Sequence, residues 1–339
     1  MFTRRLLCTG LVWLAIVAAP SGWSAPPDWA GRPGGPGAAK YHGLVVFGDS
    51  LSDTGNDLIL TATLRFDPSV PPSSSPHRTY HQGRFSNGPV AAEYLWQLMS
   101  GEPAAIEPSL AFPKLGTKSA ASFAFGGSGS GGTTTNPGGF TVPGLLTQVE
   151  TFGARLQGKK AHQHALFALW TGANDYIFYG ATDVRPVIAN VVTAIETLHS
   201  FGARNFLVPN LPDLGLTPLG QSLGLGPVLS SLTRAHNAGL AEALDGVAAR
   251  LPDTRILRVD VYTLMHDLLR AGSIAAMPPA TELLAPGSGA SDCLLRDPAT
   301  CPDVDLSAQL PPLMFWDALH PSTHAHELVG RAMFDSVRR

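Results

Sequence analysis

The sequence predicts an α/β fold, a three-layer α/β/α sandwich around a central, mainly parallel sheet. Two observations carry this expectation. The first is a set of short apolar runs bounded by turn residues: Leu44-Val45-Val46-Phe47 ends at Gly48, Ala165 to Trp170 ends at Thr171-Gly172, and Asn205 to Val208 and Arg255 to Val259 supply two more. Runs of this length read as strands buried on both faces. The second is the helical period between them, clearest at Val184, Val187, Ile188, Val191, Ile195 and Leu198 with Gly202 closing the helix, and repeated from about Val228 to Leu251. Strands alternating with helices give a parallel sheet covered on both sides. Such sheets bind ligands beyond the carboxyl ends of their strands, so the residues directly after each apolar run are the candidates for chemistry.

The first 24 residues read as a separate unit. Arg4 and Arg5 precede an apolar run from Leu6 to Ala19, and small residues follow at Ser21, Gly22 and Ser24. This is the pattern of a signal peptide, with cleavage expected after Ser24. A cut after Ala25 would put Trp23 where a small residue is wanted. Residues 25–40, rich in Pro and Gly, are expected to form a flexible lead-in, and residues 41–339 a single domain. The run is too short for a membrane span of roughly 20 residues, and no later stretch reaches that length. A soluble or peripheral protein, secreted to the periplasm or beyond the cell, is therefore expected.

Composition narrows the function class. Charged residues make up 14% and hydrophobic residues 44% of the 339, the balance of a globular enzyme rather than of a disordered chain. Without Arg4 and Arg5 the chain has 21 basic residues against 26 acidic, a net charge of −5, which argues against nucleic acid as a partner. Cys8 leaves with the leader. Cys293 and Cys301 remain, seven residues between them, in a chain bound for an oxidising compartment, so a small disulfide loop is expected. Two long segments lack any period, Arg65 to Asn87 and Ala280 to Pro312, and read as surface excursions or binding loops.

Four blocks carry chemistry. Phe47-Gly48-Asp49-Ser50-Leu51-Ser52-Asp53 follows the first strand and presents a serine hydroxyl at the sheet edge. A Gly-Asp-Ser turn alone serves equally well as a helix cap, because a hydroxyl becomes a nucleophile only beside a positioned base. Phe315-Trp316-Asp317-Ala318-Leu319-His320-Pro321 offers that base. An Asp three residues before a His, just ahead of Pro at a helix start, can hold the imidazole through its Nδ1 proton and leave the other nitrogen to accept one. Trp170-Thr171-Gly172-Ala173-Asn174-Asp175 places an amide donor after the second strand, and Phe123-Ala124-Phe125-Gly126-Gly127-Ser128 offers a backbone N–H where glycine permits close approach. In isolation the former is also a common turn and the latter a common linker.

Together, and in this order, the blocks resemble the GDSL (SGNH) hydrolase family over nearly the whole mature chain, from Phe47 to His326. FGDSLSDTGN and FWDALHPSTHAH look most like its secreted bacterial lipase and esterase branch. The resemblance implies an SGNH-like sandwich, a single catalytic domain over residues 41–339, and a carboxylic ester hydrolase. It implies Ser50 as nucleophile, His320 as base and Asp317 as acid, with Ser50, Gly127 and Asn174 forming the oxyanion hole. The second block starts at Ser122 where the family has Asn, which leaves Gly126 as the alternative donor. No cofactor is implied, and the partner is a small-molecule or lipid ester.

Three further readings fit parts of the chain. Gly220-Gln221-Ser222-Leu223-Gly224 matches a nucleophile elbow, but Pro212 and Pro218 interrupt the approach and Pro227 is expected to delay the following helix. His320, His324 and His326 could be metal ligands, yet only two share helical spacing and no Glu completes a zinc motif. A catalytically inactive binding protein on the same fold is the third, since fold does not fix function. Leu51, Phe125 and Tyr176, with Phe140, Phe178 and Tyr179, are expected near the site and would favour an acyl chain.

Overall fold

The apolar runs become strands, and the alternation of their side chains sets the layers. The structure, a computed structural model, describes residues 41–101, 106–112 and 120–339; the expected leader and lead-in, residues 1–40, lie outside the described residues. In chain order the strands are β1 (Gly43–Gly48), β2 (Glu107–Pro108), β3 (Ala120–Ser122), β4 (Thr133–Thr135), β5 (Thr141–Pro143), β6 (Ala165–Trp170), β7 (Asn205–Pro209) and β8 (Arg255–Val259). The α-helices are α1 (Asn56–Thr63), α2 (Ala91–Ser100), α3 (Leu145–Arg155), α4 (Ala173–Ile177), α5 (Val184–Ser200), α6 (Pro218–Ser222), α7 (Gly226–Arg250), α8 (Val261–Arg270), α9 (Ala280–Leu284), α10 (Cys293–Arg296) and α11 (Thr323–Arg338).

Six strands pair in parallel in the order β2-β3-β1-β6-β7-β8, and β4 and β5 form a separate antiparallel hairpin. Along β1, Leu44 and Val46 point to one face, where α2, α8 and α11 bring Leu95, Met265 and Val329. Val45 and Phe47 point to the other, against Phe152 of α3, Ile195 of α5 and Leu244 of α7. The result is a three-layer α/β/α sandwich. The strand order reverses between β1 and β6, so their carboxyl ends flank the crevice where such sheets hold ligands.

Two expectations need correction. Pro227 does not delay α7: it sits in the first turn, where its missing N–H costs nothing because the first helical donors have no partner anyway. The segment from Ala280 to Pro312 contains α9 and α10, and it does not stand apart from Arg65 to Asn87. Val70, Tyr80 and Phe85 from the first pack with Cys293, Leu294, Cys301 and Val304 from the second around Trp316, a satellite core. Cys293 and Cys301 are bonded to each other. Among the described residues no helix is long and apolar enough to cross a membrane.

Candidate active site

β1 and β6 run so close at their carboxyl ends that a Cβ on Gly48 would lie 2.1 Å from the carbonyl oxygen of Trp170, and Gly48 adopts φ 151°. The chain then turns sharply. The Asp49 carbonyl accepts from the N–H groups of Ser52 and Asp53, and Asp49 Oδ1 accepts from the Leu51 N–H at 3.0 Å. Asp53 gathers the N–H groups of Gly55, Asn56 and Asp57 at 2.8, 2.7 and 3.1 Å, anchoring the start of α1. Ser50 is thereby held at the crevice on a turn fixed at both ends.

The other half comes from the turn ahead of α11. The Trp316 N–H donates to the His320 carbonyl at 2.8 Å, and Asp317 Oδ1 accepts from the N–H groups of Leu319 and His320 at 2.7 and 2.6 Å. This turn, rather than a helix beginning at Pro321, sets the geometry; α11 starts at Thr323, capped by the Ser322 hydroxyl. The structure brings Ser50, Asp317 and His320 together. His320 Nδ1 lies 2.8 Å from Asp317 Oδ2, and His320 Nε2 lies 3.0 Å from Ser50 Oγ. All three are buried, with exposures of 6% for Ser50, 3% for Asp317 and 4% for His320. Burial acts to raise the Asp317 carboxyl, but the charge of His320 and hydrogen bonds from His320 and Tyr80 outweigh it and hold the group below the usual carboxylate range. At Asp49 burial wins and pushes the carboxyl up to about 7, against the Leu51 N–H and the charge of His320.

The two glycines differ in what their N–H groups do. That of Gly126 donates to Asp53 Oδ2 at 3.3 Å, whereas that of Gly127 has no partner among the described residues. Gly127 adopts φ 71°, and its carbonyl accepts from the Tyr179 hydroxyl. Asn174, in the first turn of α4, spends one amide hydrogen on the Ser128 carbonyl at 2.9 Å. Asp49, Ser50, Leu51, Asn174 and His320 open on a narrow cavity whose walls include Trp170, Ile177, Leu214, Leu216, Val261, Met265, Met314, Phe315 and Val329.

A family model described as GDSL-like Lipase/Acylhydrolase matches residues 44–333. The chain belongs to this family. It is accordingly a carboxylic ester hydrolase. Relatives similar to this GDSL hydrolase include a phosphatidylcholine-sterol acyltransferase of Aeromonas hydrophila, 28% identical over 94% of this chain and 91% of that one. A GDSL esterase/lipase of Arabidopsis thaliana is 26% identical over 89% of this chain and 93% of that one. Among solved structures, a lipolytic G-D-S-L family protein of Veillonella parvula aligns at TM-score 0.40 with 14% identity, covering 87% of this chain and 94% of that one. The acetylxylan esterase Axe2 of Geobacillus stearothermophilus aligns at 0.41 with 13% identity over the same shares.

Of the residues expected to touch substrate in this GDSL hydrolase, only Leu51 lines the cavity. Phe125 and Phe140 pack in the satellite core instead. Tyr176 turns away, its hydroxyl 2.8 Å from Nδ1 of the buried His236. Phe178 does not line the cavity, nor does Tyr179, although the Tyr179 hydroxyl reaches the Gly127 carbonyl beside the site. Proximity in sequence to a strand end was not enough for Tyr176, which packs with Val187, Leu211 and Leu229.

A further stretch carries no local mark of its role in the sequence. Residues 80–88 wrap the turn that carries Asp317 and His320: Tyr80 donates to Asp317, Phe85 lies against His320, Ser86 Oγ donates to the Pro321 carbonyl and Asn87 Oδ1 accepts from the Thr323 N–H. A Cβ on Gly88 would lie 2.6 Å from Thr323 Oγ1, so the wrap is close-packed. The only signal for it is the density of Tyr, Arg, Phe, Ser and Asn in a segment that otherwise reads as an excursion.

The rival serine sits elsewhere. Ser222 ends α6, exposed, its hydroxyl turned back to the Leu219 carbonyl. His320, His324 and His326 do not converge as ligands. His320 Nδ1 and Nε2 face Asp317 and Ser50, and His326 Nδ1 accepts from the Ala91 N–H, while burial and the charge of His320 push His326 down to about 3.

Proposed function

We propose that this ester hydrolase is secreted and cleaves lipid acyl esters through a Ser50-His320-Asp317 triad and an acyl-enzyme. The observation that carries the reading is the unbroken hydrogen-bonded chain from Asp317 through His320 to Ser50, opening on an apolar cavity. Ser50 Oγ attacks the ester carbonyl as His320 Nε2 takes its proton, and Asp317 keeps the imidazole in the tautomer that allows this. The oxyanion would be met by the N–H groups of Ser50 and Gly127 and the second amide hydrogen of Asn174. Gly127 is favoured over Gly126 because the Gly126 N–H is already given to Asp53. His320 returns the proton to the leaving alkoxide, which departs as the alcohol. Water, deprotonated by the same nitrogen, then releases the fatty acid and restores Ser50.

The cavity supports an acyl chain over a sugar: most of its lining residues are apolar, Leu, Ile, Val, Met, Trp and Phe among them, with Asp213, Thr217 and His326 interspersed. Similarity to a phosphatidylcholine-sterol acyltransferase supports the same class. Secretion rests on the leader pattern of residues 1–24 and the Cys293–Cys301 bond. Turnover of p-nitrophenyl acyl esters by the mature protein tests the reading. Ser50→Ala should abolish it with the circular dichroism unchanged, and Ser222→Ala should be silent. Activity surviving in Ser50→Ala, or faster turnover of acetylated sugars than of octanoyl esters in a substrate panel, would overturn the triad or the substrate class respectively.

A further inference from the structure

We infer that Tyr80 is a positioning residue of the reaction: by donating to the Asp317 oxygen that also holds His320, its phenol fixes the plane and the proton affinity of the triad acid. The inference rests on the triad proposed above.

Tyr80 Oη lies 2.6 Å from Asp317 Oδ2, and His320 Nδ1 approaches the same oxygen at 2.8 Å. With the N–H groups of Leu319 and His320 on Oδ1, the carboxylate accepts four hydrogen bonds, its full capacity. Tyr80 is fully buried. Burial, together with the charge of Asp317 and the hydrogen bond to it, pushes the phenol well above its ordinary range, so it stays protonated and acts as the donor.

The phenol is carried there by a braced segment. The Tyr80 N–H donates to the Pro72 carbonyl, Trp316 Nε1 donates to the Thr79 carbonyl at 3.1 Å, and Thr79 Oγ1 donates to the Pro302 carbonyl at 2.6 Å. Two donors on one carboxylate oxygen leave it no freedom to rotate. They also draw charge from it, so the proton shared with the imidazole stays on Nδ1 and the imidazolium is stabilised less than a bare carboxylate would stabilise it. Removing the phenol should therefore make His320 easier to protonate. Facing His320 are Asp317, Asp49 and His326, with Tyr80 acting through Asp317 and Phe85 bearing no charge. Only the Tyr80 contribution changes when its hydroxyl is removed.

The experiment is the pH profile of kcat/KM on a soluble acyl ester. Tyr80→Phe should lower kcat roughly tenfold, as expected for one hydrogen bond to a charged group, with KM within about twofold. Its acid limb should move up by about half a pH unit, with native circular dichroism. Replacing Tyr80 by 3-fluorotyrosine, a stronger donor of nearly the same shape, should move the limb down, and it carries the test if the Phe variant fails to fold. Thr79→Val loosens the same segment without touching Asp317 and should leave the limb in place. An unmoved limb in the Phe or fluorotyrosine protein, or an equal shift in Thr79→Val, overturns the inference. Ser50→Ala run in parallel separates the two readings: if it is inactive, such a result removes Tyr80 alone, and if it is active, the triad falls and the role of Tyr80 with it.

Discussion

The ring of Phe85 lies against the imidazole of His320, 5.2 Å between centroids and tilted by 37°. It also fills the space beside Gly126, where an added Cβ would fall 2.2 Å from Phe85 Cζ and 2.6 Å from Asp57 Oδ2. The glycine block and the imidazole are thus coupled through one aromatic side chain.

That coupling predicts that Gly126→Ala costs activity even though the Gly126 N–H is given to Asp53. The new methyl must displace Phe85, and a shift of about 1 Å at a catalytic base can cost on the order of a hundredfold. Phe85→Leu opens space, so adding Gly126→Ala to it should cost much less than in the parent. Measuring kcat for both single variants and the double variant closes the cycle. Strict additivity would mean that Gly126 acts without Phe85.

The cavity gives a second expectation. Met265, buried on α8, forms part of the wall away from Ser50's own turn. Met265→Trp should shorten the space for an acyl chain, at about 1–3 kcal/mol of overpacking strain. Because one methylene in an apolar pocket is worth about 10–200-fold in selectivity, the ratio of octanoyl to butyryl kcat/KM should fall by at least tenfold. An unchanged ratio in a folded variant would place the acyl chain outside this cavity.

How much of this was legible in the sequence depended on the range of the interactions. β1, β6, β7 and β8 were readable because each is a run of five or six residues with its own boundary signals. β2, β3 and the β4–β5 hairpin span two or three residues each, too short to leave a period. Ser50, Asn174, Asp317 and His320 were readable because each follows a strand or sits in a compact local pattern. Tyr80 was not, since its partner Asp317 is 237 residues away and nothing local marks a tyrosine in a Pro- and Ser-rich stretch as buried. The cavity walls were missed for the same reason: Leu216, Met265 and Met314 converge from three separate segments, while Tyr176, nearer in sequence, is turned into another cluster.

Asp49 sets a pH dependence of stability. Its folded pKa, raised to about 7, exceeds the unfolded value near 3.8, so the folded state holds this proton more tightly. Stability from this group is full below about pH 4 and is lost as pH rises towards 7. Asp49→Asn cannot ionise, and its side-chain oxygen can still accept from the Leu51 N–H. Relative to the parent, the variant should gain up to a few kcal/mol between pH 5 and pH 8, because a pKa that differs by one between the folded and unfolded chain is worth about 1.4 kcal/mol. Urea unfolding at the two pH values measures this, and parallel loss of stability in both proteins would assign the dependence to other groups, Asp53 and Asp57 first.

The disulfide joins a loop that the structure fastens to the segment carrying Tyr80. His77 Nδ1 lies 2.9 Å from the Cys301 carbonyl, Thr79 Oγ1 donates to the Pro302 carbonyl, Arg78 pairs with Asp303 at 3.2 Å, and the Val304 N–H donates to the Arg78 carbonyl at 3.0 Å. Trp316, packed against Cys293 and Cys301 in the satellite core, adjoins Asp317 itself. Opening the bond should remove only about 2–3 kcal/mol, because so short a loop constrains the unfolded chain little. The sandwich does not depend on this satellite, since its two cores lie on the faces of the sheet. The first motion to be freed is therefore that of residues 75–80 against residues 301–304, and with it the hydrogen bond from Tyr80 to Asp317. A Cys293→Ser, Cys301→Ser double variant is expected to lose ester hydrolysis at temperatures where its far-ultraviolet circular dichroism is still native. The gap should narrow in Tyr80→Phe, where the bond to Asp317 is already absent. Activity and dichroism lost together on heating the double variant would show that the loop stabilises the whole domain rather than the turn of Asp317 and His320.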